Sequence, residues 1–427
     1  MTTATSTASE KKIEKFTGYQ KFVILILALL QFTVVLDFMI LAPLGDILMK
    51  TMGLSTKEFG SVVSGYALSA GLSGLLAAGF ADKYDRKKLL LFFYVGFVIG
   101  TLFCGLAFNY QTLLIARIIT GIFGGVIGSI SMAIITDIFN LQQRGRVMGF
   151  VQMAFAGSQI LGVPIGIEIA NRWGWHFSFF MIVGFAVILG LLVLFRLHPV
   201  DGHLKLQANT NPFEHLGKTI EKKDYRIGFM ATAILSMGGF MIMPFSTAFL
   251  VNNIHVPPEM LSRIFVATGI SSTIIMPLVG RLSDKVDKFK LFTAGSILAA
   301  VMILIYTNLQ PVSVGVVILV NIILFMGIMS RMVPATTMTS AIPAMADRGA
   351  FMSINASLQQ MSGGLGAMFA GLIVVQASKN SPIENFDILG YVMVGIVVLC
   401  IFLMARVSKM IKERKHAEGA KANPLDH

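Results

Sequence analysis

The chain has 427 residues, of which 55% are hydrophobic and 13% charged, where soluble domains carry about 25% charged residues. This composition excludes a soluble enzyme. The net charge of +12 says nothing about a partner until its placement along the chain is known.

Residues 1–21 are polar and lysine-bearing, and read as an N-terminal segment on the cytoplasmic side. A membrane span needs about 20 apolar residues, and windows of that length predict six in the first half, at 22–45, 58–80, 89–107, 112–137, 147–170 and 176–196. The first is too long for a signal-peptide apolar region and no small-residue cleavage site follows it, so it is expected to be retained. It contains Gln31 and, near its middle, Asp37. A carboxylate at that depth costs about 2.5–3.5 kcal/mol. Asp37 is therefore a candidate proton carrier or partner for a cationic substrate, or a structural group neutralised by a neighbouring helix. The fourth span holds Arg117, a second charge that is costly unless paired. The fifth carries Gln152, Gly157, Gln159, Gly162, Pro164 and Gly166. Glu168 lies near its end and reads as interfacial.

Residues 197–227 form the one long polar segment and read as a linker between bundles at 22–196 and 228–407. The second half is predicted to span at 228–250, 262–281, 291–308, 313–338, 350–377 and 389–407. Arg331 and Pro334 lie in the tenth span. Arg331 is either a central ligand for an anionic or polyhydroxy substrate, or an end-of-helix residue if that span starts late. Asn355 and Gln359 in the eleventh span join the three glutamines as candidate cavity groups. Residues 408–427 form a basic tail suited to an anionic membrane surface.

The halves repeat one another. Asp82-Lys83-Tyr84-Asp85-Arg86 recurs 202 residues later as Asp284-Lys285-Val286-Asp287-Lys288. Phe38-Met39-Ile40 followed by Pro43 recurs as Phe240-Met241-Ile242 followed by Pro244, and Arg144-Gly145-x-x-Met148 as Arg348-Gly349-x-x-Met352. Ser158, Gly162 and Gly166 fall on Ser362, Gly366 and Ala370. A duplicated membrane bundle is the architecture of many transporters. Of the 34 Lys and Arg residues, Lys50, Lys57, Arg172, Arg263 and Lys379 fall on one side, Arg117 and Arg331 lie within spans, and the other 27 share the side of the N-terminus. By the positive-inside rule both termini are cytoplasmic, so the positive charge is a topology signal and no nucleic acid is expected.

Cys104 and Cys400 both lie in apolar spans, so neither a disulfide framework nor a metal site is expected. No zinc-ligand spacing, nucleophile elbow or nucleotide-binding loop is present, so no cofactor or enzymatic chemistry is expected and transport must draw on a gradient.

The loop repeats, twelve spans and central linker resemble the major facilitator superfamily over essentially the whole chain. The family motif after the second helix runs Gly-x-x-x-Asp-Arg-x-Gly-Arg-Arg/Lys. Gly280 stands four residues before Asp284, but the first half has Ala78 there, and Asp85 and Asp287 replace the motif's second glycine. The resemblance implies an all-α membrane protein of two pseudo-symmetric six-helix bundles. It also implies a conformational latch of Asp82, Arg86 and Asp137, with Asp284 and Lys288 in the second half; the plainer reading makes these charges topology determinants. Arg117-x-x-x-Gly121 with Gly124-Gly125 is similar to the fourth-helix motif of proton-coupled members. Gly157-x-x-x-x-Gly162-Val163-Pro164-Ile165-Gly166 resembles the fifth-helix antiporter motif, in a form similar to arabinose-efflux-like exporters, and implies close packing between the halves.

The combined expectation is a monomeric, proton-coupled exporter of a drug-like compound or metabolite in a bacterial inner membrane. It would work by alternating access, in the drug:proton antiporter or arabinose-efflux-like branch. A symporter importing a small metabolite, and a non-transporting sensor or assembly factor, are the other readings.

Overall fold

The computed structural model describes residues 16–77, 80, 83–202, 204 and 212–422. Ala78, Gly79 and Asp82 of the first loop motif lie outside them, as do 1–15, 203, 205–211 and 423–427. The first half comprises α1 (Gly18–Ile40), α2 (Gly45–Met52), α3 (Thr56–Ala77), α4 (Arg86–Gly105), α5 (Tyr110–Ile138), α6 (Leu141–Gly157), α7 (Val163–Trp173) and α8 (Trp175–Arg196). A short α9 (Pro212–Glu221) precedes α10 (Lys223–Phe240), α11 (Ser246–Asn252), α12 (Pro258–Lys285), α13 (Lys288–Thr307), α14 (Val314–Ser340), α15 (Arg348–Ile373) and α16 (Phe386–Ala422). A two-residue hairpin, β1 (Val375–Gln376) and β2 (Ile383–Glu384), joins the last two helices.

Among the described residues, 11 helices are long and apolar enough to cross a membrane. The twelfth expected span is present as α15, 26 residues long but rich in Gly, Ser, Asn and Gln. It falls short on apolarity because it packs against α3 and α10. Helix packing in lipid uses small residues that let backbones approach. A Cβ on Gly60 of α3 would stand 2.9 Å from the Ala367 carbonyl, and one on Gly371 would stand 2.7 Å from the Thr56 carbonyl.

The repeated Phe-Met-Ile…Pro segments break the first helix of each half at matching places, with turn residues Leu41–Leu44 before α2 and a 3₁₀ turn Met243–Phe245 before α11. Proline cannot supply the helical N–H, so both segments leave the helix there. The two breaks meet. Thr247 Oγ1 donates to the Ala42 carbonyl at 3.1 Å, and Asn252 Nδ2 donates to Asp46 Oδ1 at 2.6 Å. Phe59 and Phe245 cross edge to face at 5.9 Å.

At this end of the bundle one hydrophobic core runs through both halves, from Val35 and Phe59 to Phe245, Tyr306 and Phe386. At the opposite, basic end the core divides. Leu27, Phe93, Ile130 and Val193 belong to a core of the first half alone. Phe229, Phe292, Phe351 and Met404 belong to one in the second, touched from the first half by Leu75. The halves are thus fused at one face and separately packed at the other.

Asp85 and Asp287, the departures from the loop motif, are the N-caps of α4 and α13, with φ of −54° in both. Asp85 Oδ1 accepts from Lys87 N, and Asp287 Oδ1 from Phe289 N and Lys290 N. A carboxylate satisfies the exposed amides of a helix start and complements its dipole.

Gly60→Val is expected to lower stability in detergent by about 1–3 kcal/mol through overpacking at the α3–α15 contact. Gly239→Ala, where a Cβ would meet nothing within 4 Å, serves as the neutral control. Equal unfolding midpoints for the two variants would remove the close-approach explanation.

Candidate functional site

Asp37 and Arg117, 80 residues apart, meet in the middle of the first half. Arg117 Nη1 lies 2.7 Å from Asp37 Oδ2, with side chains 1% and 0% exposed. Thr101 of α4 donates its hydroxyl to the other carboxylate oxygen at 3.1 Å, and Arg117 Nη1 also reaches the Asp37 carbonyl at 3.3 Å. The Tyr66 ring of α3 covers the guanidinium, with Cζ 4.4 Å from its centroid. Cys104 of α4 contacts Thr120 at 3.6 Å beside it. Four helices thus converge on one ion pair. Thr101 and Tyr66 escaped the sequence reading, because a lone hydroxyl and a lone aromatic in an apolar span carry no signal of their own.

The glycines of the fourth-span motif explain how α3 comes so close. A Cβ on Gly121 would stand 2.4 Å from the Tyr66 carbonyl, and one on Gly125 would stand 2.3 Å from that of Ala70. One on Gly124 would meet the Tyr66 hydroxyl at 2.9 Å.

The fifth-span motif does something different from what was expected. Gly157, Gly162 and Gly166 face α1 of their own half, where Cβ atoms would meet Phe32, Leu36 and Ile40 in turn. The five-residue step from Gly157 to Gly162 keeps this register because Ser158–Gly162 forms a π turn ahead of Pro164, which has no N–H to return. Contact with the other half comes from the opposite edge. Gln159 and Ile160 lie against Gly269 of α12, and Ser262 donates to the Pro164 carbonyl at 3.5 Å. Glu168 pairs with Arg172 at 2.6 Å on the surface.

The remaining candidates are not drawn to the ion pair. Gln31 is half-buried beside Gly128, six residues before Asp37 and so about 9 Å along the helix. Gln152 is exposed and Gln159 half-buried at α12. Asn355 and Gln359 line a separate cavity of about 100 Å³ with Thr232, Ser236, Thr336 and Thr339 of the second half. Arg331 is well inside α14, which excludes the end-of-helix reading. It is 4% exposed, lies 5.9 Å from the Phe292 ring and adjoins Cys400, with no carboxylate within 4 Å among the described residues. It does not line that cavity, and its Nε and Nη2 are buried with no hydrogen-bond partner among the described residues.

The sequence profile of the Major Facilitator Superfamily matches residues 27–227 and 228–425. The chain belongs to the major facilitator superfamily. Its members are transporters and not enzymes. Relatives include the uncharacterized MFS-type transporter YbcL of Bacillus subtilis (strain 168), 24% identical over 91% of this chain and 98% of that protein. Multidrug resistance protein 2 of the same organism is 24% identical over 69% of this chain and 75% of its own. Among solved structures, a bacterial homologue of the human lysosomal transporter Spinster, inward-facing and unoccupied, superposes with a TM-score of 0.78. It is 18% identical over 93% of this chain and 99% of that one, and so shares the fold.

Among the described residues, the superfamily's loop motif forms a pair in the first half and none between Asp284 and Lys288. Arg86 Nε lies 3.3 Å from Asp137 Oδ2, joining α4 to α5 within one half. Asp82 lies outside the described residues. Asp284 is exposed, and Lys288 Nζ donates to the Ser283 carbonyl at 3.3 Å, so these two are not brought together. Lys412 of α16 pairs with Asp287 instead, at 3.0 Å. A polar node missed in the sequence lies on the same face. Asp347 receives Lys222 and the Tyr225 hydroxyl (2.7 Å), with His215 of α9 at 3.8 Å. Only the fold brings these residues, more than 100 positions apart, to one carboxylate.

Removing either member of the Asp37–Arg117 pair strands a buried charge. Asp37→Asn and Arg117→Met are each expected to cost about 3–5 kcal/mol, and the double variant less than their sum. Additive losses in a double-mutant cycle would contradict direct coupling. On the basic face, the Lys222 hydrogen bond, then that of Tyr225, holds the Asp347 carboxyl below its usual range, while Asp347 raises Lys222. A depressed carboxylate stabilises above its unfolded titration and is lost on acidification; a raised lysine stabilises below its own and is lost at alkaline pH. Intrinsic-rate-corrected hydrogen-exchange protection of the first turns of α10, which Lys222 and Tyr225 tie to Asp347, should therefore stay level between about pH 5 and pH 9 and fall in Asp347→Ala. Unchanged protection in that variant would show that this helix start is held by its apolar contacts alone.

Proposed function

We propose that this transporter is a proton-coupled exporter that works by alternating access, with Asp37 as the proton carrier. The observation that supports this best is the fully buried Asp37–Arg117 pair. Ionic groups in the apolar part of a membrane bundle are expensive and mark ion or substrate pathways. A proton on Asp37 neutralises one member of the pair, so protonation and deprotonation change the attraction between α1 and α5. A buried contact of this kind favours two discrete arrangements over a graded response.

In this reading the face bearing the basic connections and both described ends of the chain is cytoplasmic, following the asymmetry of Lys and Arg. The shared core at the other face then closes the outside, and the separate cores at the basic face permit the halves to part toward the cytoplasm. Rocking of one half against the other around a midplane site would alternate access. Export in a bacterial inner membrane is favoured by the fifth-span motif and by the likeness to Multidrug resistance protein 2. Thr232, Ser236, Thr336, Thr339, Asn355 and Gln359, with Met332, Met352 and Met404, give the second-half cavity an uncharged, half-polar lining. That lining suits a neutral amphipathic molecule, with methionines adapting to its apolar part.

The test is proton release from proteoliposomes of defined orientation, on adding a panel of neutral amphiphiles, lipophilic cations, sugars and organic acids. The wild type should release protons with one class only. Asp37→Asn, and Asp37→Asn with Arg117→Gln to remove the stranded cation, should keep downhill substrate movement but show no coupled proton flux. Undiminished coupling in either variant would remove Asp37 from the carrier role.

A further inference from the structure

A carrier built from a buried ion pair has a difficulty on one side of its cycle. When Asp37 takes a proton, Arg117 keeps its charge in a site where its side chain is 1% exposed. Asp37 is the one carboxylate within 4 Å of it among the described residues. A buried cation without an anion is strongly disfavoured, so a group that holds the guanidinium without neutralising it lowers the cost of protonating the carboxyl.

The Tyr66 ring is placed to meet that need. Its face lies 4.4 Å from the guanidinium carbon, and the ring is 2% exposed, so the contact is desolvated. Phe38, the neighbour of Asp37 on α1, packs on the same ring at 5.4 Å and fixes its orientation. Gly121 and Gly124, one and two turns beyond Arg117, are open on the side that receives α3 and the tyrosine ring. The arginine and the glycines of one motif thus act together, since side chains at those positions would push the ring off the cation. The next residue on α3, Ala67, meets Gly364 of α15 across the boundary between the halves. The ring therefore sits on the helix that joins them.

We infer that Tyr66 is a positioning residue for proton coupling: its ring face holds Arg117 in place while Asp37 is protonated and the guanidinium has no carboxylate partner. This rests on the proton-carrier reading of Asp37. The ring attracts the cation in both states, but its contribution matters more when the carboxylate no longer neutralises the charge. Weakening the ring face therefore favours the ion pair over the protonated state, and proton loading requires more acid. The titratable groups facing Arg117 are Asp37 from α1, Tyr66 from α3 and Cys104 from α4. Helix α8, which also packs on α1 and α4, brings His176 to the Gly105 carbonyl at the end of α4, at 2.7 Å.

The experiment is the pH profile of substrate-driven proton flux in proteoliposomes for Tyr66→Phe, Tyr66→Leu, and a series with phenylalanine at position 66 carrying one to five ring fluorines. Fluorination drains the ring face with little change of shape, so the series tests the contact even if Tyr66→Leu fails to fold. Tyr66→Phe should retain the wild-type midpoint. Tyr66→Leu should move it about one pH unit lower, and the fluorinated ring should move it stepwise in the same direction. A midpoint that stays fixed while only the maximal rate falls would mark Tyr66 as ordinary packing and overturn the inference. So would a Tyr66→Phe profile that matches Tyr66→Leu, since the hydroxyl would then be the active group. Asp37→Asn, run beside them, separates the two ideas. Coupled flux surviving in that variant sinks the carrier reading, whereas a fixed midpoint with Asp37→Asn uncoupled sinks the tyrosine role alone.

Discussion

The first half is organised around a pair of opposite charges with no access to water. Asp37 and Arg117 stand 2.7 Å apart in surroundings that would expel either one alone. Their attraction is useful only at that separation, so α1 and α5 must present these residues at the same depth and the other helices must close around them. Thr101 occupies the free carboxylate oxygen and Tyr66 the open face of the guanidinium. The glycine pattern of α5 follows from this demand, because α3 reaches Arg117 only where α5 lacks side chains. On its other side α1 is seated against Gly162 and Gly166, where a Cβ would stand 2.6 Å from Leu36 and 2.5 Å from Ile40.

A second constraint concerns the junction of the halves. Lipid provides no hydrophobic force to push helices together, so contact depends on close backbones and on hydrogen bonds between polar groups. Both occur where the halves meet. Gly60, Gly71, Gly364 and Gly371 bring α3 and α15 together, and Thr56 donates to the Val374 carbonyl at 2.7 Å. At the face where the first helices break, Asp46–Asn252 and Thr247–Ala42 add polar links between the broken ends. At the basic face the cores separate, and a Cβ on Gly280 of α12 would meet nothing within 4 Å. One face is thus joined by many short contacts, while the other has few to break. In the proposed cycle this difference is what distinguishes the two sides of the membrane.

The departures from family motifs have local causes. Asp85 and Asp287 stand where a glycine is usual because each caps the helix that begins at the next residue. In the fifth span the longer glycine spacing is absorbed by a π turn, so a sequence irregularity becomes a regular face toward α1. Among the described residues the second-half loop has no counterpart of the Arg86–Asp137 pair, and Lys412 from α16 engages Asp287.

The sequence alone determined the class of protein and most of its helices. Apolar runs of span length register directly in composition, the charge asymmetry fixes which ends share a face, and the repeated Phe-Met-Ile…Pro segments lie at the two helix breaks. It also singled out Asp37 and Arg117, since a charge in an apolar span is conspicuous without knowing its partner. The partnership itself, with Thr101 and Tyr66, was decided by tertiary structure, because 80 residues separate the pair and nothing local encodes which faces of α1 and α5 meet. The same holds for Arg331, which is as conspicuous in sequence as Arg117 but packs between Phe292 and Cys400. It holds also for the fifth-span glycines, which face α1 and not α12. Spacing along a helix states which residues share a face; only the packing of the other helices decides what that face meets.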